Sequence, residues 1–186
     1  MNRNRQGADA DDAVLVAQAI EELPYVTRAY EILVRRHYRL IYRTCLHILK
    51  DPSETEDATQ LILLKVFNGL PRFHARSTFK TWLVKIVTNT CFTRFQQLKQ
   101  RRQRYRRLEE SSLEQLNTES GDSPESLWLD NFETMVCCLN EQEKKIVSLR
   151  FVSELSLPEI AVVMEMKLSA TKMRFYRALK KLKKQL

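Results

Sequence analysis

Apolar side chains recur along this chain every three or four positions, a period that predicts helices. Between residues 27 and 49 they fall at Tyr30, Val34, Tyr38, Ile41, Cys45 and Ile48, the stripe of one long amphipathic helix. Asp51-Pro52 ends it, because proline pushes the residue before it out of the helical region. Ser53 and Glu56 stand at capping-box spacing and open a second helix to about Leu70, with Gly69 and Pro71 as stop signals. Residues 72–76 read as a loop. Ser77 is placed to cap a third helix whose buried face is Phe79, Leu83, Ile86, Val87, Thr90 and Cys91, and which continues to about residue 107.

Residues 111–126 break the pattern with Ser, Glu, Asn, Gly and Pro, the composition of a flexible linker. Trp128, Phe132, Met135 and Val136 resume it as a helix to about Leu139. Asn140 caps the next helix, with Glu143 completing the box and Ile146, Val147, Leu149 and Phe151 as apolar positions. In Ser156-Leu157-Pro158-Glu159 the serine caps, the proline sits where its missing N–H costs nothing, and the glutamate takes the box position. That short helix ends near Met164, and residues 165–168 join it to a last helix from Ser169 onward. The expected fold is all-α, with two small helical domains on a flexible linker. Residues 1–26 form an amino-terminal segment, frayed over 1–12, with room for one short helix. The first domain spans 27–107, the linker 108–126 and the second domain 127–186.

Composition agrees, since only 3 of 186 residues are glycine and no Val/Ile/Thr-rich alternating run is present. The net charge of +8 points to a polyanionic partner, and its distribution sharpens the point. Residues 76–107 hold ten Lys or Arg and no acid, 109–133 hold eight acids and no base, and 167–186 hold eight bases and no acid. Two basic blocks about an acidic spacer read either as solvated helix faces or as two nucleic-acid-binding modules on a tether. Cys45, Cys91, Cys137 and Cys138 lack CxxC spacing and read as reduced thiols, the first two as small buried hydrophobes. No apolar leader and no stretch of transmembrane length is present, so a cytoplasmic protein is expected.

A short helix, a brief turn and a basic helix make a helix-turn-helix pattern, or else an ordinary hairpin with a cationic tail. Ile160, Ala161 and Met164 supply the first helix's buried face. Ser169, Ala170 and Thr171 permit close approach, and Lys172, Arg174 and Arg177 project outward. The stretch from LNEQEKKIVSLRF to the chain end resembles region 4 of extracytoplasmic-function sigma factors. YEILVRRHYRLIYRTCLHILKDPSETEDATQLILLKVFNGLPRF resembles the opening of their region 2, and FHARSTFKTWLVKIVTNTCFTRFQQLKQRRQR its promoter-contacting half.

The resemblance implies a sigma factor that binds core RNA polymerase and promoter DNA, with an anti-sigma factor as a further partner. It has no catalytic residue, cofactor or metal of its own. Asp57, Gln60, Leu64 and Lys65 then face the clamp of the polymerase's largest subunit. Phe73, Arg76, Lys80, Trp82, Lys85 and Asn89 engage the −10 element, a task needing aromatic stacking surface, cations and a base-edge contact. Ser169, Lys172, Met173, Arg174 and Arg177 engage the −35 element. For Phe79 and Trp82, core packing competes with stacking or a wall for the flipped base, and for Phe79 core packing is favoured; for Asn89, a satisfied buried amide competes with base contact. Leu61 stands where the family usually has an acid, Glu165 where it often has glycine, and Ser169-Ala170-Thr171 where it often has Gly-Thr-Val. A free-standing helix-turn-helix regulator is the alternative, but it leaves residues 27–107 without a role. An enzyme finds no support, since P-loop, metal-cluster and H-E-x-x-H motifs are lacking and His37, His47 and His74 are dispersed.

Overall fold

The computed structural model describes residues 11–109 and 139–184. The expected linker, the helix expected around Trp128 and Phe132, Cys137, Cys138 and the frayed start over residues 1–10 lie outside them. Among the described residues there are seven α-helices and no strand.

The first four helices form one bundle. α1 (Asp12–Glu22) buries Leu15, Val16 and Ala19 against α2 (Arg28–Leu49). Asp12 fixes that pairing by reaching Nε2 of His37 at 2.6 Å and Arg36. At the other end of α1, Glu22 accepts the backbone N–H of Ala29 at 3.0 Å, placing a negative charge at the amino end of α2. The buried stripe of α2 is Ala29, Leu33, Ile41, Cys45 and Ile48. Tyr38, expected in the stripe, is exposed, and Leu33 takes the core position in place of half-buried Val34.

α3 (Pro52–Gly69) starts earlier than its capping-box reading. Asp51 is the cap, accepting the N–H of Glu54 at 2.9 Å, and Pro52 fills the first helical position, so Ser53 lies inside the helix. Proline has no N–H to satisfy there, which makes Asp51 the last residue free to cap. A 3-10 turn (Leu70–Arg72) leads into the loop before α4 (Phe79–Glu109). Thr78, not Ser77, takes the capping role, since its hydroxyl accepts the Thr81 N–H at 3.2 Å. Leu33, Ile41, Ile62, Val66, Leu70, Leu83 and Val87 close the bundle core. Cys45 and Cys91 meet inside it with sulfurs 3.3 Å apart.

α5 (Glu141–Phe151), α6 (Leu157–Val163) and α7 (Leu168–Lys183) form a second unit around Ile146, Leu149, Leu155, Ile160, Val163 and Phe175. Both expected capping boxes are present, Asn140 with Glu143 and Ser156 with Glu159. Buried Glu143 also takes the Lys181 ammonium at 2.8 and 2.9 Å, tying α5 to α7. Met166 and Glu165 donate their N–H groups to the carbonyls of Ala161 and Val162, which closes α6 with a Schellman-type turn. Glu165 holds the left-handed position of that turn at φ 54°.

The two units touch. α4 packs on α6, and Val84, only 1% exposed, belongs to the core of the second unit together with half-buried Leu40.

Candidate nucleic-acid interface

The residues expected at the −10 element gather around the amino-terminal half of α4. Phe73, Phe79 and Trp82 form one aromatic cluster, with ring centroids 5.1 Å apart for Phe73–Trp82 and 5.9 Å for Phe79–Trp82. Phe79 is buried and also meets His37, so it is the floor of the cluster. Phe73 and Trp82 are half-buried and keep part of each ring accessible. The Trp82 ring fits because Gly69 faces it; a β-carbon there would stand 3.2 Å from Cζ2. Asn89 is exposed one face further along α4 and is not a buried amide. Arg76 is exposed in the loop, and Lys80 and Lys85 are half-buried. An aromatic platform flanked by cations and one free-standing amide has the chemistry of a single-strand binding surface.

Lys85 is engaged here, donating to the Glu165 carboxylate at 2.7 Å. That pairing holds the Glu165 carboxyl below the usual carboxylate range. Glu159 lies alongside: burial pushes its carboxyl upward, but hydrogen bonds from Ser156 and Thr81, with the charge of Lys80, bring it below the ordinary value. The Thr81 hydroxyl donates to Glu159 at 3.0 Å.

The residues expected to face the polymerase share one side of α3. Gln60, Leu61 and Leu64 are exposed, Leu64 by 58%. Exposed Lys65 reaches across to α4 and donates to Thr90 at 3.0 Å, and Asp57 lies 3.5 Å from Arg94. On α7, Ser169, Lys172, Met173 and Arg177 are exposed. Arg174 is half-buried, with one guanidinium nitrogen 3.9 Å from Met166 Sδ. Thr171 is buried, consistent with close helix approach.

Sequence reasoning did not single out Arg43. It donates to the carbonyl of Val152 and, at 2.9 Å, to the carboxylate of Glu154. Thr81 and Val84 fall within the promoter-contacting stretch that the resemblance marks, but their burial depends on α6 and so on a contact between distant segments. Arg43 offered no signal, being one of several arginines on the polar side of its helix.

Comparison with known proteins gives two matches to models of one family, in chain order. Residues 33–102 match Sigma-70 region 2, and residues 129–182 match Sigma-70, region 4; together they span about two-thirds of the chain. The chain is 29% identical over 156 residues to the ECF RNA polymerase sigma factor SigW of Bacillus subtilis, covering 78% of this chain and 82% of that one. Among solved structures it resembles CnrH in complex with the cytosolic domain of CnrY, at 20% identity and a TM-score of 0.71, covering 94% of this chain and 96% of that one. It also resembles the sigma factor RpoE in complex with the anti-sigma factor NepR from Bartonella quintana, at 19% identity and a TM-score of 0.58, covering 86% and 96%.

Proposed function

This chain belongs to the sigma-70 family, and on that premise we propose that it reads both elements of a promoter for core RNA polymerase and opens the −10 element. Its role is that of a sigma factor in promoter-directed transcription. The observation that carries the finer reading is the accessible aromatic edge of Phe73 and Trp82 beside Lys80, Lys85 and Asn89. Melting exposes unpaired bases, and an aromatic platform lowers the free energy of the melted strand by stacking, worth roughly 1–3 kcal/mol per base. Residues 27–107 are the module for this step. Residues 127–186 read the −35 element in the major groove through Lys172, Met173, Arg174 and Arg177, with 108–126 as the tether.

Polymerase performs the chemistry, and this chain supplies address and strand capture. The exposed Gln60–Leu61–Leu64 side of α3, with Asp57 and Lys65 beside it, docks on the clamp. An anti-sigma factor is a further partner, by likeness to the RpoE–NepR complex. Such work belongs in the cytoplasm, and no helix among the described residues is long and apolar enough to cross a membrane.

The test is order of addition on a promoter-length duplex. The chain alone should give weak, salt-sensitive binding without a defined footprint, because two small basic modules supply mainly phosphate contacts. With core polymerase it should protect both elements and expose −10 bases to single-strand reagents. Tight, sequence-specific protection by the chain alone would favour a free-standing regulator.

A further inference from the structure

We infer that Asp12 and His37 are positioning residues for the aromatic platform at the −10 element, and that α1 holds the floor of that platform in place. The inference rests on the proposed role of Phe73 and Trp82 in strand capture. It gives a task to an amino-terminal helix that neither basic module accounts for.

The Asp12–His37 pair is the first observation. Asp12 is the first residue of α1, and its carboxylate is turned toward α2. Oδ2 takes the His37 Nε2 at 2.6 Å, and Oδ1 takes the Arg36 guanidinium. A carboxylate only accepts, so Nε2 carries the proton and donates. The His37 side chain is 12% exposed, so the bond is shielded from water. A short charge-assisted bond fixes both where the imidazole sits and how it is turned. The ring held in this way lies against Phe79, with centroids 5.3 Å apart and planes tilted by 59°.

Phe79 passes this placement on. It is buried, stands edge-on to Phe73 with centroids 6.4 Å apart, and lies 5.9 Å from Trp82. Both accessible rings of the platform therefore rest on a ring that also packs on the imidazole. α1 reaches the platform by a second route. Its Leu15, Val16 and Ala19 share the bundle core with Leu70, and the helix packs on the 3-10 turn that leads to Phe73. So α1 braces both supports, the floor through His37 and the loop through Leu70. Interiors are close-packed, and a ring inside one moves only when its neighbours do. Binding groups must be held to within about 0.5 Å, which half-buried rings achieve only on a fixed floor. Loosening the pair leaves the platform's chemistry unchanged but blurs its geometry, and this weakens strand capture.

The experiment pairs two readouts on the full chain. With Trp128→Phe, Trp82 is the one tryptophan left, and its quenching by acrylamide in the free chain reports the platform. In holoenzyme assembled with core polymerase, anisotropy reads binding of a short single-stranded DNA covering the −10 element of a promoter that the holoenzyme transcribes. Asp12→Ala should alter the quenching and weaken strand binding by about three- to tenfold, part of what stacking supplies. His37→Gln keeps a donor for Asp12 but removes the ring beside Phe79, and should do the same. Asp12→Glu keeps the carboxylate and should recover most of both readouts. Leu49→Ala is the control for stability alone, since it opens a hole in the same core about 18 Å along α2 from His37, at 1.5 Å per residue. It should lower the unfolding midpoint and leave quenching and strand affinity unchanged. Wild-type strand affinity in Asp12→Ala and His37→Gln, while Trp82→Ala loses it, would overturn the inference and leave the −10 reading standing. Effects that Leu49→Ala reproduces would overturn it as well. Altered quenching in the Asp12 and His37 variants, with strand binding that Trp82→Ala leaves intact, would sink the −10 reading and keep the pair's hold on the platform.

Discussion

Gly69 and Trp82 face each other so closely that a β-carbon on the glycine would stand 3.2 Å from the indole ring. The ring has Phe73 and Phe79 as its other neighbours, so it can give way only by disturbing the aromatic platform. Gly69→Ala gains up to about 1 kcal/mol of helix propensity at the end of α3 and loses a similar amount to the contact. Overall stability should therefore change little, while Trp82 fluorescence, read in a Trp128→Phe background, should shift. Gly69→Val cannot be absorbed in this way and should cost about 1–3 kcal/mol in urea unfolding.

Leu64 is 58% exposed, beside exposed Leu61, on a helix that buries Ala58, Ile62 and Val66. Leu64→Asp should leave the unfolding free energy within about 0.5 kcal/mol of wild type, as surface changes do. The same change should weaken association with core polymerase by about tenfold or more, measured by surface plasmon resonance, if this side of α3 docks on the clamp. Leu61→Glu is the companion variant, restoring the charge usual in the family.

Lys50 closes α2 in the left-handed region at φ 57°, with its N–H on the carbonyl of Leu46 at 2.9 Å. This is the position at which helices most often place glycine. Lys50→Gly should stabilise region 2 by about 0.5–1 kcal/mol, seen as a higher denaturant midpoint with unchanged slope.

Two ionisation windows bracket the fold. Hydrogen bonding and charge from Arg43 hold the Glu154 carboxyl below its ordinary value of 4.5. Lys85 does the same for Glu165. A depressed pKa contributes stability that is present above the ordinary value and is lost as pH falls through the depressed one. Contact between the two units, read by chemical crosslinking of the full chain, should therefore be constant from neutral pH to about 4.5 and drop below it. At the other extreme, burial pushes the Tyr30 phenol from 10.0 up to about 12 while its hydroxyl donates to the Leu63 carbonyl at 2.7 Å. A raised pKa contributes below the ordinary value and is lost as pH rises through the folded one. Region 2 should thus weaken between pH 10 and 12, and Tyr30→Phe should remove that pH dependence.

Much of this architecture was legible in the sequence because it is local. The Asn140–Glu143 and Ser156–Glu159 boxes were readable from spacing, since a cap involves residues three apart. The all-α class and the helix-turn-helix followed from period and from the scarcity of glycine. The caps of α3 and α4 were each misplaced, by two residues and by one, because Asp51 and Ser53, or Ser77 and Thr78, are equally good capping chemistries. What local pattern could not reveal is the contact between the units. Val84 and Thr81 lie off the stripe that faces region 2's own core and are buried by a segment some 75 residues away. The left-handed turn at Glu165 was visible as a missing glycine, whereas its partner Lys85 was not.

The most direct test of the central claim is run-off transcription with purified core polymerase on a library of promoter fragments. Specific initiation that requires both components, and that is lost with Trp82→Ala while polymerase binding persists, is the result this account predicts. No initiation with core polymerase, together with a sharp footprint of the chain alone on duplex DNA, would contradict it.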